Sequence, residues 1–172
     1  ASNVNDVLTR FISTGKLEPK ETIPSVAPSM DIQIPSSLER LIYNFEGDAS
    51  SFYDQLQNEK IAKLSEESVV KLQNIFSSLS FNDEMILKEI DLFYKNYGWV
   101  IDPHTATALS SSVTFSSTLP VVGVATASPE KFSDVISKTI DEFRVENTKN
   151  EEKYFVQKAN SSLVENTIKE CL

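Results

Sequence analysis

Only one run in this chain, PVVGVAT (120–126), is short, apolar and β-branched enough to make a strand buried on both faces. A buried strand must pair with neighbours, because its backbone donors and acceptors have no water to meet. Yet the rest of the 172 residues reads mainly as helix, with at best one further strand and no internal repeat. The expected fold class is therefore α/β, mainly helical, with one or two strands of a sheet that is incomplete within this chain. The run ends at Thr126 and is followed by Ser128-Pro129, a helix cap and a first helical residue. By itself Thr126 can be a strand-end threonine or a residue facing a ligand.

Helical spacing and stop signals divide the remainder. Val7, Leu8, Phe11 and Ile12 form a stripe over 5–14, with Asn5 or Asp6 as cap and Gly15 as stop. Residues 16–35 carry four prolines and predict an extended loop. Ser36 with Glu39 has the form of a capping box, ahead of Leu38, Leu41, Ile42 and Phe45 and a stop at Gly47. A helix is expected over 48–60 with Phe52, Tyr53 and Leu56. Another starts at Ser65 with Val69, Leu72, Ile75, Phe76 and Leu79. A third starts at Asn82 with Met85, Ile86, Ile90, Phe93 and Tyr97, and Gly98 follows it. Together 36–97 predict a small antiparallel helical cluster. Its aromatic residues, Phe52, Tyr53, Phe76, Phe93, Tyr94 and Tyr97, have helical spacing and are expected in the core. Asp102 and Pro103 suit the cap and first position of a helix, a further helix is expected over 129–142, and the charged tail 150–170 is also expected to be helical. The resulting segments are 1–35, helix and extended loop; 36–97, helical; 98–145, strand and helix; and 146–172, tail.

A net charge of −9 argues against a nucleic-acid or anionic-membrane partner, since either needs a basic face. No apolar run is long enough to span a bilayer, and ASNVNDVLTR has neither the basic nor the apolar region of a signal peptide. The chain does not open with Met, so a processed chain, an excised piece or an expression boundary is expected. A single cysteine, Cys171, permits no intrachain disulfide and suits a reducing compartment such as the cytoplasm. With one His and one Cys far apart, no metal site is expected, and four glycines supply no dinucleotide fingerprint or phosphate loop. His104 could join Asp102 and a serine in a hydrolytic triad, but capping explains Asp102 and no nucleophile elbow occurs, so a hydrogen-bonded structural histidine is the favoured reading. The pairs Glu66-Glu67 and Glu151-Glu152 fall near helix starts and read as solvated surface. No catalytic residue is assigned from these features.

Four stretches, in order, carry a family resemblance: NDVLTRF (5–11), PSMDIQIPSSLERL (28–41), DPHTATA (102–108) and VATASPEKF (124–132). They resemble the C-terminal part of the threonine synthases, in the long microbial and fungal branch. Residues 48–96 carry no motif of that family. The resemblance implies a fold type II pyridoxal-phosphate enzyme that converts O-phosphohomoserine and water to threonine and phosphate. It implies pyridoxal phosphate as cofactor, held by a lysine in the family's N-terminal half and by a glycine-rich phosphate loop that precedes the first motif. Neither is found in this chain, so the chain is expected to be a C-terminal fragment, inactive alone, whose partner is the N-terminal part of the same enzyme. That also accounts for the incomplete sheet.

Within the resemblance Thr126 matches the threonine that faces the cofactor's pyridine nitrogen. Ser128 stands where the family usually has His, and Glu130 where it usually has Ala. Asn3 and Asn5 match an N-x-N pair near the cofactor side of the sheet, where a turn or cap role competes with a ligand contact. Two other readings stand beside this one: a non-catalytic binding module derived from the same family, and an unrelated helical interaction protein. Apolar faces that met a missing half would predict self-association or domain swapping.

Overall fold

The computed structural model describes residues 1–115 and 119–144, and places Ser162, Asn166 and Lys169 in helical conformation. The remaining tail positions, including Glu151, Glu152 and Cys171, lie outside the described residues, as does most of the helix expected over 150–170.

The glycine stop at residue 15 organises the first half. Helix α1 (Val7–Thr14) ends there because Gly15 adopts the left-handed φ of 70°, and its amide closes onto the Phe11 carbonyl. A Cβ at Gly15 would lie 2.2 Å from Val69 Cγ2, so the absent side chain also lets Val69 approach. The chain then pairs β1 (Lys16–Leu17) antiparallel to β2 (Ala62–Lys63), in register Lys16 with Lys63 and Leu17 with Ala62. The Leu64 amide donates to the Gly15 carbonyl at 2.9 Å and extends this contact.

The helices α2 (Leu38–Glu46), α3 (Ser50–Glu59), α4 (Glu66–Ile75), α5 (Asp83–Tyr97) and α6 (Pro103–Thr114) lie where the sequence signals put them. Caps mark most of the starts. Asp48 accepts from the amides of Ser50 and Ser51 at 2.9 and 3.2 Å, Ser65 accepts from the Ser68 amide at 3.3 Å, and Asn82 from the Met85 amide at 2.9 Å. The Ser36–Glu39 capping box does not form. Ser37 is already helical in backbone, and the Leu38 and Glu39 amides are met by the carbonyls of Pro35 and Ser36. The helix expected over 129–142 is a 3-10 turn (Pro129–Phe132) followed by the short α7 (Ser133–Ile136). Ser128 makes no side-chain cap there; its carbonyl instead accepts from the Lys131 amide at 3.2 Å.

Burial sorts these elements into two cores. The first joins Val7 and Phe11 of α1, Leu38 and Ile42 of α2, Phe52 and Leu56 of α3, Leu72 of α4, and Leu17 and Ala62 of the strand pair. The second joins Ile86 and Ile90 of α5 to Ala106 of α6, Ala27 of the proline-rich loop, Phe81, Ile136 and Ile140. α5 therefore packs on α6. Each large side chain so buried contributes about 1.5–3 kcal/mol. Not every residue expected in the core reaches it: Tyr97, Ile75 and Phe76 are exposed, and Tyr53, Phe93 and Tyr94 are half-buried. Aromatic spacing marks a helix face, but which face finds a partner is a tertiary outcome.

The largest departure from expectation is the run 120–126. It forms no strand, and Val121, Val122 and Val124 are 52%, 81% and 68% exposed. A strand needs a second backbone beside it, and the described residues place none there. Among the described residues the sheet content is the two-stranded pair β1–β2, together with a parallel bridge of Ser2 to Ser80.

Candidate functional site

Asn3 is fully buried although its side chain is an amide, so its hydrogen bonds must close inside the protein. They close onto the loop 23–31. The Asn3 amide nitrogen donates to Asp31 Oδ1 at 2.6 Å, to Ser25 Oγ at 2.6 Å and to the Ala27 carbonyl at 3.2 Å, and its oxygen accepts from the Asn5 amide at 2.9 Å. Asn5 treats Ile23 as a second backbone would: Nδ2 donates to the Ile23 carbonyl at 2.8 Å and Oδ1 accepts from the Ile23 amide at 2.9 Å. Asp31 collects four donors, from Asn3, Asn5, and the amide and hydroxyl of Ser25. Among the described residues no ion pair meets it; its carboxylate is held by neutral donors.

The loop turns through Pro28–Met30, and here the stretch DPHTATA (102–108) joins. Asp102 caps α6 through the His104 and Thr105 amides, at 2.9 and 3.3 Å, and also takes the Thr105 hydroxyl. Its Oδ1 lies 2.7 Å from His104 Nδ1, and both side chains are buried. His104 Nε2 accepts the Ser29 amide at 3.1 Å. That nitrogen is therefore unprotonated, and the ring proton sits on Nδ1 toward Asp102: a neutral imidazole with both nitrogens used. The Phe132 ring packs on the imidazole at 4.6 Å between centroids. Thr107, one turn on, donates to the His104 carbonyl at 2.7 Å and touches Met30 Sδ at 3.7 Å.

The four stretches that carry the resemblance thus meet in one place: Asn5 on Asp31, Ser29 on His104, His104 on Phe132. Asn3 and Asn5 are clamps on the loop, with their amides hydrogen-bonded to it. Ser29 is exposed beside a small cavity of about 80 Å³ whose wall includes Ser2, Asn5, Met30 and Ile32. Thr126 is exposed six residues before Phe132, and its hydroxyl makes no hydrogen bond among the described residues. Ser128 is exposed as well. Sequence reasoning did not single out Ser25, Ser29 or Asp31 as a cluster. Ser29 and Asp31 stood inside a matched motif and Ser25 did not, and no spacing rule announces a partner 28 residues away.

A separate groove of about 540 Å³ lies against α3, lined by Pro19, Ile34, Tyr53, Leu56, Gln57 and Lys60. Burial, aided by the Glu39 charge, raises the Tyr53 hydroxyl above its usual pKa, and that hydroxyl is buried without a hydrogen-bond partner among the described residues. Among the described residues no group of three or more potential ligands could hold a metal ion, and no helix is long and apolar enough to cross a membrane.

No family model matches the chain. It is 33% identical to the threonine synthase of Pseudomonas aeruginosa over 144 residues, covering 80% of this chain and 31% of that protein. It is 30% identical over 168 residues to the human protein named threonine synthase-like 1, covering 94% of this chain and 23% of that one. Among solved structures, the pyridoxal-phosphate-bound threonine synthase of Brucella melitensis superposes with a TM-score of 0.81 at 26% identity, over 99% of this chain and 39% of that chain. Yeast threonine synthase superposes with a TM-score of 0.77 over 99% of this chain and 41% of that chain, at 23% identity. The chain spans well under half the length of the relatives it matches. In sequence and in fold it is a relative of the threonine synthases, matching a C-terminal part of that fold type II family.

Proposed function

We propose that this chain supplies one wall of the pyridoxal-phosphate site of a threonine synthase, an enzyme converting O-phosphohomoserine and water to threonine and phosphate. The observation that carries the reading is Thr126: an exposed hydroxyl with no partner among the described residues, in the motif that matches the family's cofactor-facing threonine. When bound, pyridoxal phosphate supplies the electron sink for the chemistry. A threonine fits its ring nitrogen, because a hydroxyl can donate to an unprotonated nitrogen or accept from a protonated one. It is too weak a base to hold the proton as a carboxylate would. Asn3, Asn5, Asp31 and His104 set the loops behind that wall and do not themselves reach outward.

The family's cofactor-bearing lysine and phosphate loop have no counterpart in this chain, so its partner is the N-terminal part of the same enzyme and the chain alone is inactive. The exposed Val121, Val122 and Val124 are where that partner, or a second copy of the chain, would cover apolar surface. The compartment proposed is the cytoplasm. In the full native polypeptide, Thr126→Asp should shift the absorbance of bound pyridoxal phosphate and lower turnover of O-phosphohomoserine by about 10²-fold or more, the order expected when a tuned electrostatic contact is replaced. Unchanged absorbance and unchanged turnover would overturn the assignment. If the chain alone retained cofactor absorbance after dialysis and turned the substrate over, the proposed division of labour would be wrong.

A second reading, a non-catalytic binding module of the same family, is favoured by the match to a protein named threonine synthase-like at an identity close to that of the named synthases. Failure of the full native polypeptide to turn over O-phosphohomoserine while still binding pyridoxal phosphate would select it.

A further inference from the structure

Two exposed hydroxyls stand on segments that have no element in common, Ser29 in a turn and Thr126 in the irregular stretch before one, yet both segments lead to the same imidazole. Ser29 does so directly, since its amide donates to His104 Nε2 at 3.1 Å. Thr126 does so through the turn Pro129–Phe132 that follows it, whose Phe132 ring lies 4.6 Å from the imidazole at an interplanar angle of 57°. The imidazole has no freedom of its own. Its Nδ1 is 2.7 Å from Asp102, which is itself tied down by the amides of His104 and Thr105 and by the Thr105 hydroxyl. It is 5% exposed.

We propose that His104 is a positioning residue: neutral and fixed by Asp102, it sets the Ser29 turn with one ring nitrogen and the Thr126 segment with its ring face. The link to Thr126 rests on the pyridoxal-phosphate reading for what that hydroxyl serves; the clamp on Ser29 stands on geometry alone. The physical logic is that exposed loop residues are precise only when something rigid holds them from behind. A helix cap locked by several hydrogen bonds is such a support, and it couples two turns that are about a hundred residues apart in sequence.

The test uses the full native polypeptide with three variants. His104→Phe keeps a ring against Phe132 but removes the acceptor for Ser29. His104→Gln offers an amide oxygen to Ser29, and His104→Ala removes both contacts. Amide hydrogen exchange is read at Ser29 and Lys131, with Leu72 and Ile90 as controls for global folding, alongside the kcat to KM split and the absorbance of bound pyridoxal phosphate. His104→Phe should speed Ser29 exchange roughly tenfold, the loss of one hydrogen bond, and leave Lys131 within about threefold. His104→Gln should recover most of the Ser29 protection, and His104→Ala should speed both sites. In His104→Ala the cofactor absorbance should move and kcat should fall more than KM rises. Unchanged Ser29 exchange in both His104→Phe and His104→Ala, with Leu72 and Ile90 still protected, would overturn the clamp. Faster exchange with unchanged kcat and unchanged absorbance would overturn the positioning role. A native polypeptide that binds no pyridoxal phosphate would sink the functional reading, while the exchange arm would still decide the clamp.

Discussion

The first core and the loop junction bury their residues for different reasons. Phe11, Ile42, Phe52 and Leu72 meet one another as apolar surface, which is non-directional and tolerates substitutes of similar volume. Asn3, Asp31, Asp102 and His104 meet through hydrogen bonds that must all close, because a polar group taken from water without a partner costs more than a hydrogen bond returns. Apolar packing decides that the chain collapses. The polar junction decides which loop lies on which helix, and it is the junction that gathers every stretch resembling the threonine synthases. Residues 48–96, which supply α3, α4 and most of α5, carry no such stretch. The difference teaches that the matched stretches meet one another through the polar junction, although they also lend Val7, Phe11 and Leu38 to the apolar core.

Substitutions can break that contrast. The largest effect is expected at the apolar core. Phe11→Ala removes a fully buried ring that also meets Phe52 edge-on at 6.1 Å, and should cost about 3–5 kcal/mol in denaturant unfolding, whereas Phe11→Leu should cost about half as much. Next comes Gly15→Ala, which adds a Cβ 2.2 Å from Val69 at a left-handed φ, and should destabilise by about 2–4 kcal/mol. Asn3→Leu tests the junction: it keeps the branch at Cγ but leaves Asp31 short of a donor, and should cost about 1–3 kcal/mol. If Asn3→Leu were neutral, the junction would be packing like any other core and the contrast would fail.

The smallest effect separates surface electrostatics from both regions. Burial pushes the Glu46 carboxyl up, but the Ser65 amide and the Ser68 and Ser65 hydroxyls, with the Lys71 charge, outweigh it and hold its pKa below the ordinary 4.5. A lowered pKa in the folded state adds stability that is complete above the ordinary value and lost as pH falls through the folded one. Because Glu46 is exposed, that loss should be under about 1 kcal/mol, visible as acid sensitivity below about pH 4.5 that Glu46→Gln removes.

Much of the chain's local structure is legible residue by residue. Gly15, Gly47 and Gly98 end helices in left-handed conformation, and Ser65, Asn82 and Asp102 start them with side-chain hydrogen bonds, because caps and stops depend on a few adjacent residues. The capping box at Ser36 and the cap at Ser128 failed for a local reason too: neighbouring backbone carbonyls took the donors first. The site is less legible. Thr126 and His104 could be named from the chain, but the roles of Ser29 and Asp31 depend on partners far away in sequence. The bonds from Asn3 to Asp31 and from Ser29 to His104 span 28 and 75 residues.

What the order of residues determined by itself is therefore the set of helices, their ends, and the apolar stripe each one offers. Those rest on contacts within a few residues. Only the tertiary structure decided that α5 packs on α6, that Asn3 and Asn5 face inward, and that PVVGVAT lies exposed instead of forming a strand. Each of these outcomes depends on a second surface arriving from elsewhere. A strand above all is made by its neighbour, and β-branched residues state a preference that only another backbone can satisfy.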